Sequence, residues 1–256
     1  MDILKVEKNI DTSKFNIKYF DLVGSTNTVA KEMALSGSGE FTVIIADEQT
    51  AGRGKPGRSF VSCGGVGVYL SVILKPSLPL SKIHLITSFA SVKVAEAIDK
   101  LSGENTKIKW VNDLYLNGKK ICGILTESVI NPKSCTADCV VLGIGINVLN
   151  ENFDESIKNI AGSIKTETGL EISREDLIAE ILNSLVSFES EILAGDYLNE
   201  YRKRSCLLGK EIKVFEGVTS YSAVAQDIDD NAGLVISSGG EIKTLQSGEE
   251  VSVRFE

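Results

Sequence analysis

The sequence predicts an α+β fold: one mixed β-sheet backed by helices, followed by a small β-barrel. Three observations predict it. Apolar or alternating runs recur between residues 17 and 146, bounded by glycine and polar clusters. Two longer stretches repeat their apolar side chains at helical spacing. After residue 205 the texture changes to short strands punctuated by Asp-Asp-Asn-Ala-Gly and Ser-Ser-Gly-Gly turns.

Taken in order, residues 17–23, 41–46 and 66–74 read as the first strands. Residues 21–32 pass from strand to helix, with Ser25, Thr26 and Asn27 at the junction. Each of the three could be a helix cap, but three consecutive hydrogen-bonding side chains exceed what capping needs. They suit a neutral ligand rich in amide-like donors and acceptors. Residues 81–101 read as one helix packed on a sheet, since Ile83, Ile86, Ala90, Val94, Ala97 and Leu101 share a narrow stripe and His84 lies off it. Residues 107–111 and 121–127 read as strands around an Asn117-Gly118 hairpin tip, and residues 139–146 as a buried strand that ends at Asn147. Ser173 opens a second helix with an S-x-x-D cap and carries Leu177, Ile181, Leu185, Phe188 and Ile192 along one side. The tail supplies strands at 211–215, 221–227, 233–237, 241–245 and 250–255.

A length of 256 residues fits one large domain with a small satellite, and we place the boundary between 1–205 and 206–256. The tail holds 4 basic and 9 acidic side chains and is read as a separate acidic module. Over the whole chain 27 Lys and Arg face 35 Asp and Glu, a net charge of -8, which argues against duplex nucleic acid as the main partner. No stretch approaches the roughly 18 uninterrupted apolar residues a membrane helix needs. The opening MDILKVEKNI carries charges where a signal peptide would be apolar, so the expected setting is the cytoplasm. Five cysteines are scattered and the chain has one histidine. Cys135 and Cys139 are four apart, but no second pair completes a tetrahedral zinc set, and free thiols are expected.

Residues 51–67, AGRGKPGRSFVSCGGVG, carry the most chemical information. Six glycines (Gly52, Gly54, Gly57, Gly64, Gly65, Gly67) let the backbone approach a ligand, and Arg53, Lys55 and Arg58 point to an anionic one. Gly52, Gly54 and Gly57 satisfy G-x-G-x-x-G, yet Pro56 and the following RSFVSCGG do not begin a helix, and no acid follows until Glu96. A phosphate-binding Walker loop fails similarly, with Arg58 where its lysine belongs. A purely structural glycine loop is the plainer alternative, but clustered cations without acidic neighbours repel one another unless an anion compensates.

In residues 107–127, KIKWVNDLYLNGKKICGILTE, the polar Lys109, Asn112, Asp113 and Lys120 interrupt sheet-forming sequence. Lys119 is read as solvated and Trp110 as core. Lys120 adjoins the strand ICGIL, from which its three ammonium donors can reach a substrate carboxylate. The string GIGIN closes its strand with an amide that is either a nucleotide contact or a plain strand-end residue.

These segments in this order, STN, ADEQTAGRGKPGR, KWVNDLYLNGKKICGIL and GIGIN, closely resemble the catalytic core of the biotin protein ligases over residues 19–147. The tail resembles that family's C-terminal SH3-like domain. The resemblance implies a core like that of the class II aminoacyl-tRNA synthetases and biotin ligases. It also implies a reaction in which biotin and ATP give biotinyl-5'-AMP and pyrophosphate, before a carrier lysine takes the biotinyl group. Ser25, Thr26, Asn27 and Gln49 would then recognise the ureido ring, with Gly123 in the same subsite. Arg53, Gly54 and Lys55 would wrap the valerate chain and the mixed anhydride, and Lys120 would bind the carboxylate; Lys120, Arg53 and Lys55 carry the catalysis. Arg58 would meet the triphosphate and Phe60 would stack on adenine. Asn112, Asp113 and Asn147 would complete the nucleotide site, with Arg254 lending a distant charge. Magnesium is expected with ATP, its ligands unassigned.

The implied macromolecular partner is a biotin carboxyl carrier protein or domain. Members of the family occur as monomers and as dimers joined through the core sheet, and no feature of this sequence decides between the two; neither nucleic acid nor membrane is expected. Lys55 stands where an arginine is common, which keeps charge and loses bidentate hydrogen bonding. Val111 stands where the family often has proline. Some relatives carry an N-terminal helix-turn-helix, and the short stretch ahead of the first core strand predicts the form without one. Two alternatives are a lipoate protein ligase, which shares the fold, and a non-catalytic biotin or adenylate sensor.

Overall fold

Two aliphatic runs with no polar face, in residues 67–74 and 139–146, must be covered on both sides, and that requirement organises the fold. The computed structural model describes residues 1–55, 57–131, 136–246 and 251–255. The chain begins with α1 (Ile3–Lys8), β1 (Asn16–Val23), α2 (Thr26–Leu35), β2 (Thr42–Gln49) and β3 (Gly67–Leu74). It continues through α3 (Leu80–Ile83), α4 (Leu85–Ser102), β4 (Lys107–Lys109), β5 (Asp113–Leu116), β6 (Lys119–Asn131) and β7 (Thr136–Asn147). Four helices follow: α5 (Ile164–Thr168), α6 (Arg174–Leu185), α7 (Phe188–Ala194) and α8 (Tyr197–Arg204). Strands β8 (Glu211–Glu216), β9 (Thr219–Ile228), β10 (Leu234–Ser238), β11 (Glu241–Leu245) and β12 (Val251–Phe255) end the chain.

The core sheet has the order β1-β2-β3-β7-β6-β5-β4, with β1 and β2 parallel and the remaining pairs antiparallel. It is the mixed sheet the sequence predicts. Strand β3 is buried along its whole length. On one face Val43, Ile45, Leu70, Val72 and Leu142 join the main core with Phe89 of α4 and Ile181 of α6. On the other face Ile44, Ile73, Cys139 and Val141 pack under Ala30 of α2. The five C-terminal strands form a second, antiparallel sheet ordered β11-β10-β9-β8-β12. Trp110 Nε1 donates to Ala232 O (2.9 Å), Arg202 Nε to Ile228 O (2.6 Å) and Cys206 N to Ile108 O (3.0 Å), tying that sheet to the core.

Several details depart from the sequence reading, β5, α5 and α8 among them, which no predicted element covers. Residues 81–101 divide into α3 and α4 at His84, whose ring Nε2 lies 3.0 Å from Asn231 O. The stripe through 173–192 bends at Ser187, where the backbone leaves helical values, although Phe188 and Ile192 stay buried as expected. Serine favours helix ends over interiors because its hydroxyl competes for backbone groups. The expected strand 107–111 stops at Lys109, and residues 110–112 turn the chain back into β5; the Trp110–Val111 peptide is cis. Helix α1 carries no long apolar stripe and was not expected; Lys5 bonds Asp176 and Ser173 at the start of α6 and holds it there.

The Asn117-Gly118 tip is present, both residues with positive φ (48° and 83°), as a tight turn of this kind requires. Cys63, Cys122, Cys139 and Cys206 are free thiols, while Cys135 lies outside the described residues. No helix among the described residues is long and apolar enough to cross a membrane.

Candidate active site

Register across the core sheet builds the floor of a cavity. Lys109, Asp113, Gly123, Gly145, Tyr69 and Ala46 stand opposite one another across consecutive strands, and Leu125, Gly143, Ser71 and Ile44 form the adjacent row. Side chains alternate faces along a strand, so in GIGIN the isoleucines enter the core and the glycines open the other face. That opening is used. A Cβ on Gly143 would lie 2.0 Å from Asn27 Oδ1, and one on Gly145 would lie 2.9 Å from the Phe60 ring.

Ser25, Thr26 and Asn27 are buried at the N-terminus of α2 and line the cavity. Ser25 occupies the N-cap but makes no side-chain cap bond. Gln49 Oε1 accepts from Thr26 N (2.8 Å) and contacts Thr26 Oγ1 (3.1 Å), while Gln49 Nε2 donates to Ser62 Oγ (2.8 Å). Ser71 Oγ lies 2.6 Å from Asn27 Oδ1 and 2.8 Å from Thr26 Oγ1. The Asn27 amide nitrogen donates to Glu127 Oε2 at 2.9 Å, and Arg53 Nη2 lies 3.1 Å from Glu127 Oε1.

The glycine-rich segment folds back on itself as a hairpin. Bridges join Gln49 to Ser62 and Arg53 to Ser59, with Phe60 N donating to Gly52 O (2.9 Å) and Gly54 N to Arg58 O (3.1 Å). No helix follows it, in agreement with the rejection of both phosphate-loop motifs. Arg53, Gly54, Lys55, Arg58 and Phe60 all line the cavity. The Phe60 ring meets Tyr69 edge-on, centroids 6.3 Å apart. Below the hairpin, Arg174 Nη1 donates to Asp47 Oδ1 (2.8 Å) and Gly67 O (3.1 Å), and Asp47 Oδ2 accepts from Gly65 N (2.8 Å). Arg174 and Asp47 therefore fix both stems of the loop.

The charge is lopsided. Arg53, Lys55, Arg58, Lys109 and Lys120 line the cavity with one carboxylate, Asp113. Lys120 Nζ lies 2.6 Å from Asp113 Oδ1. The Lys120 backbone is held on both sides, its N–H donating to Ile160 O (2.8 Å) and its carbonyl accepting from Gly162 N (3.0 Å). Burial, assisted by Arg58, Lys120 and Lys109, holds the Lys55 ammonium below the ordinary lysine range against the opposing pull of Asp113. Burial does the same to Lys109. Such a site favours a bound anion, which relieves the mutual repulsion of the cations.

Of the remaining residues the sequence singles out, Gly123 lies on the floor, where an added Cβ would be 3.5 Å from both Lys120 Nζ and the Phe60 ring. Asn112 lines the cavity and donates to Ile124 O (2.6 Å), holding the 110–112 turn against β6. Asn147 and Arg254 stand outside the lining: Asn147 Nδ2 donates to Gly162 O (2.9 Å), and Arg254 stacks 4.9 Å from the Phe215 ring. Val253, next to Arg254 on β12, reaches the cavity instead. Ser71, Gly143, Gly145 and Glu127 were not anticipated. The period-2 alternation of glycine in GIGIN was the available signal for two of them. No group of three or more His, Cys, Asp or Glu that could hold a metal occurs among the described residues.

Residues 19–147 match the model of the biotin/lipoate A/B protein ligase family. The chain is 34% identical to the bifunctional ligase/repressor BirA of Bacillus subtilis over 90% of its length and 72% of that protein's. It is 31% identical to a biotin–[acetyl-CoA-carboxylase] ligase of Mycobacterium tuberculosis, covering 90% of this chain and 86% of that one. A solved structure of the Aquifex aeolicus biotin protein ligase with biotin and ATP superposes with a TM-score of 0.78 at 27% identity, covering 94% of this chain and 99% of that chain.

Proposed function

The chain belongs to the biotin/lipoate A/B protein ligase family, and from that membership we propose that it is an ATP-dependent biotin protein ligase. It activates biotin as biotinyl-5'-AMP and passes the biotinyl group to a lysine of a biotin carboxyl carrier protein or domain. One observation carries the reading. A single cavity joins a buried, hydrogen-bonded polar cluster to a wall bearing, among the described residues, five cations and one carboxylate. Ligand specificity belongs to the first part and anion chemistry to the second.

In this reading Ser25, Thr26, Asn27 and Gln49 hold the ureido ring above Gly123, and Lys120 exchanges Asp113 for the biotin carboxylate. A carboxylate oxygen attacks the α-phosphorus of ATP; the new P–O bond forms as the bond to pyrophosphate breaks. Arg53, Lys55 and Arg58 neutralise charge moving onto the departing group, with the Gly54 backbone closing over the chain. Phe60 offers an aromatic face to adenine, and Asn112 and Asp113 border the nucleotide. Asn147 acts indirectly through Gly162, beside Lys120, and Arg254 through its charge. The ε-amine of the carrier lysine then attacks the acyl carbon, an amide forms and AMP leaves. No bond to the enzyme is needed, so positioning and charge suffice.

Magnesium would enter with ATP, carried chiefly by phosphate oxygens and water, and would there screen the charge of the triphosphate. The same reading sets the enzyme in the cytoplasm. It also includes a homodimer joined at the edge of the core sheet, where β1 pairs, among the described residues, only with β2 and where Phe20 and Leu22 are exposed. Exchange of labelled pyrophosphate into ATP tests the first step, and carrier labelling with biotin and Mg-ATP the second. Exchange is expected with biotin and not with lipoate. Biotin binding without exchange in a folded sample would make the protein a sensor, and tighter lipoate binding would make it a lipoate ligase.

A further inference from the structure

Glu127 does not line the cavity, yet its carboxylate joins two side chains that do. Oε2 accepts from Asn27 Nδ2 at 2.9 Å, and Oε1 faces Arg53 Nη2 at 3.1 Å. Asn27 belongs to the first turn of α2, which packs on the sheet, while Arg53 belongs to the glycine-rich hairpin. Glu127 itself is anchored on β6, in register with the buried Val141 of β7. One carboxylate, 18% exposed, therefore spans the fixed wall of the cavity and its hairpin.

Counting protons makes the bridge directional. A carboxylate can only accept, so Asn27 must turn its Nδ2 toward Glu127. Its Oδ1 then faces Ser71, whose hydroxyl proton it receives at 2.6 Å. The amide cannot flip without placing an acceptor against Glu127 and a donor against a committed hydroxyl. Asn27 is thus left with a free lone pair on Oδ1 to offer a ligand N–H. Two donors meet two carboxylate oxygens: without Oε2, Asn27 Nδ2 would fall back on its longer bond to Leu125 O (3.5 Å), and without Oε1, Arg53 Nη2 would lose its carboxylate.

We propose that Glu127 is a positioning residue that couples the hairpin, through Arg53, to the orientation in which Asn27 meets the N–H groups of biotin's ureido ring. The inference rests on the biotin reading of the cavity and adds a linkage to it: orientation of Asn27 toward the ring and seating of Arg53 depend on the same carboxylate.

The test is a double-mutant cycle on the full chain with E127Q, R53Q and the pair, plus E127D. E127Q keeps the size of the side chain but offers one acceptor oxygen to two donors. The KM for biotin in pyrophosphate exchange should rise on the order of tenfold in E127Q, as should the rate of biotinyl-AMP release, with kcat changed far less. With R53Q already present, E127Q should add much less than it does alone. E127D retains both oxygens and should recover part of the loss; it takes over the cycle if a thermal melt shows E127Q unfolded. An unchanged KM in E127Q, or effects that simply multiply across the cycle, would overturn the linkage while leaving the ligase assignment intact. A wild-type protein without biotin-dependent exchange would overturn the assignment itself, and the inference with it.

Discussion

At the scale of single residues, the cavity depends on where charge is held rather than on how much there is. Lys120 has a carboxylate partner already, so in the proposed reaction a substrate carboxylate would compete with Asp113 for one ammonium. K120A should lower biotin-dependent pyrophosphate exchange by roughly 100- to 1,000-fold while leaving the thermal melt near that of the wild type. Wild-type exchange in K120A would remove it from the chemistry. Lys55 adds a pH dependence. Its proton affinity is below the 10.5 of an ordinary lysine, so the free protein starts to lose this charge earlier as pH rises. The fold disfavours the charged form; that penalty is full below the lowered pKa and fades as pH climbs toward 10.5. An anion reverses the preference, so its binding takes up a proton in that window. Calorimetric affinity for biotinyl-AMP should therefore decline on the alkaline side before the ordinary lysine range, and K55R should move the decline to higher pH. Identical profiles would show that Lys55 does not meet the anion.

At the scale of elements, the floor of the cavity is a property of strand register. Gly143 lies against an Asn27 whose two ends are both committed, so G143A cannot be absorbed by a rotamer change. Overpacking of this kind costs about 1–3 kcal/mol. Biotin affinity, measured by titration calorimetry, should weaken by about tenfold or more. Affinity within twofold of wild type would show that Asn27 can yield. This level also shows what the sequence could tell. The edges of β1, β2, β3 and the C-terminal strands were legible to within a few residues, because apolar alternation is local. The hairpin tip was legible in Asn117-Gly118. The bend at Ser187 and the turn at residues 110–112 were not, since the apolar pattern runs straight through both. The grouping of Ser25, Thr26 and Asn27 was visible as an excess of polar groups at a helix start. Their partners Ser71 and Glu127 were invisible, being 44 and 100 residues from Asn27 in the chain and brought close only by sheet order. Arg174, reaching Asp47 across 127 residues, is invisible in the sequence for the same reason.

At the scale of the molecule, the C-terminal sheet is joined to the core at the turn that borders the cavity. The Trp110 indole donates to Ala232 O while Trp110 itself lines the cavity, and Val253 contributes from β12. Arg202 holds Ile228 O and Asp230 from α8. A joint of this kind predicts one cooperative transition in scanning calorimetry, with the calorimetric and van't Hoff enthalpies equal. W110F leaves the buried Ala232 carbonyl short of a donor, at a cost of about 1–3 kcal/mol, and should lower the transition by about 2–4 °C for each kcal/mol. Two separated transitions in the wild type would mean that residues 206–256 melt as an independent module.

The backbone at Lys120 is gripped from both directions by residues 160–162, whereas four methylene carbons separate that grip from the ammonium. Root and tip consequently obey different rules: one is pinned by two backbone hydrogen bonds, the other hangs on rotatable bonds. In the proposed reaction such a tip would leave its resident acid, escort the vitamin through activation, follow the oxygen as it becomes part of an anhydride, and return once the nucleotide departs. A shorter or branched replacement would keep the tether and lose the travel.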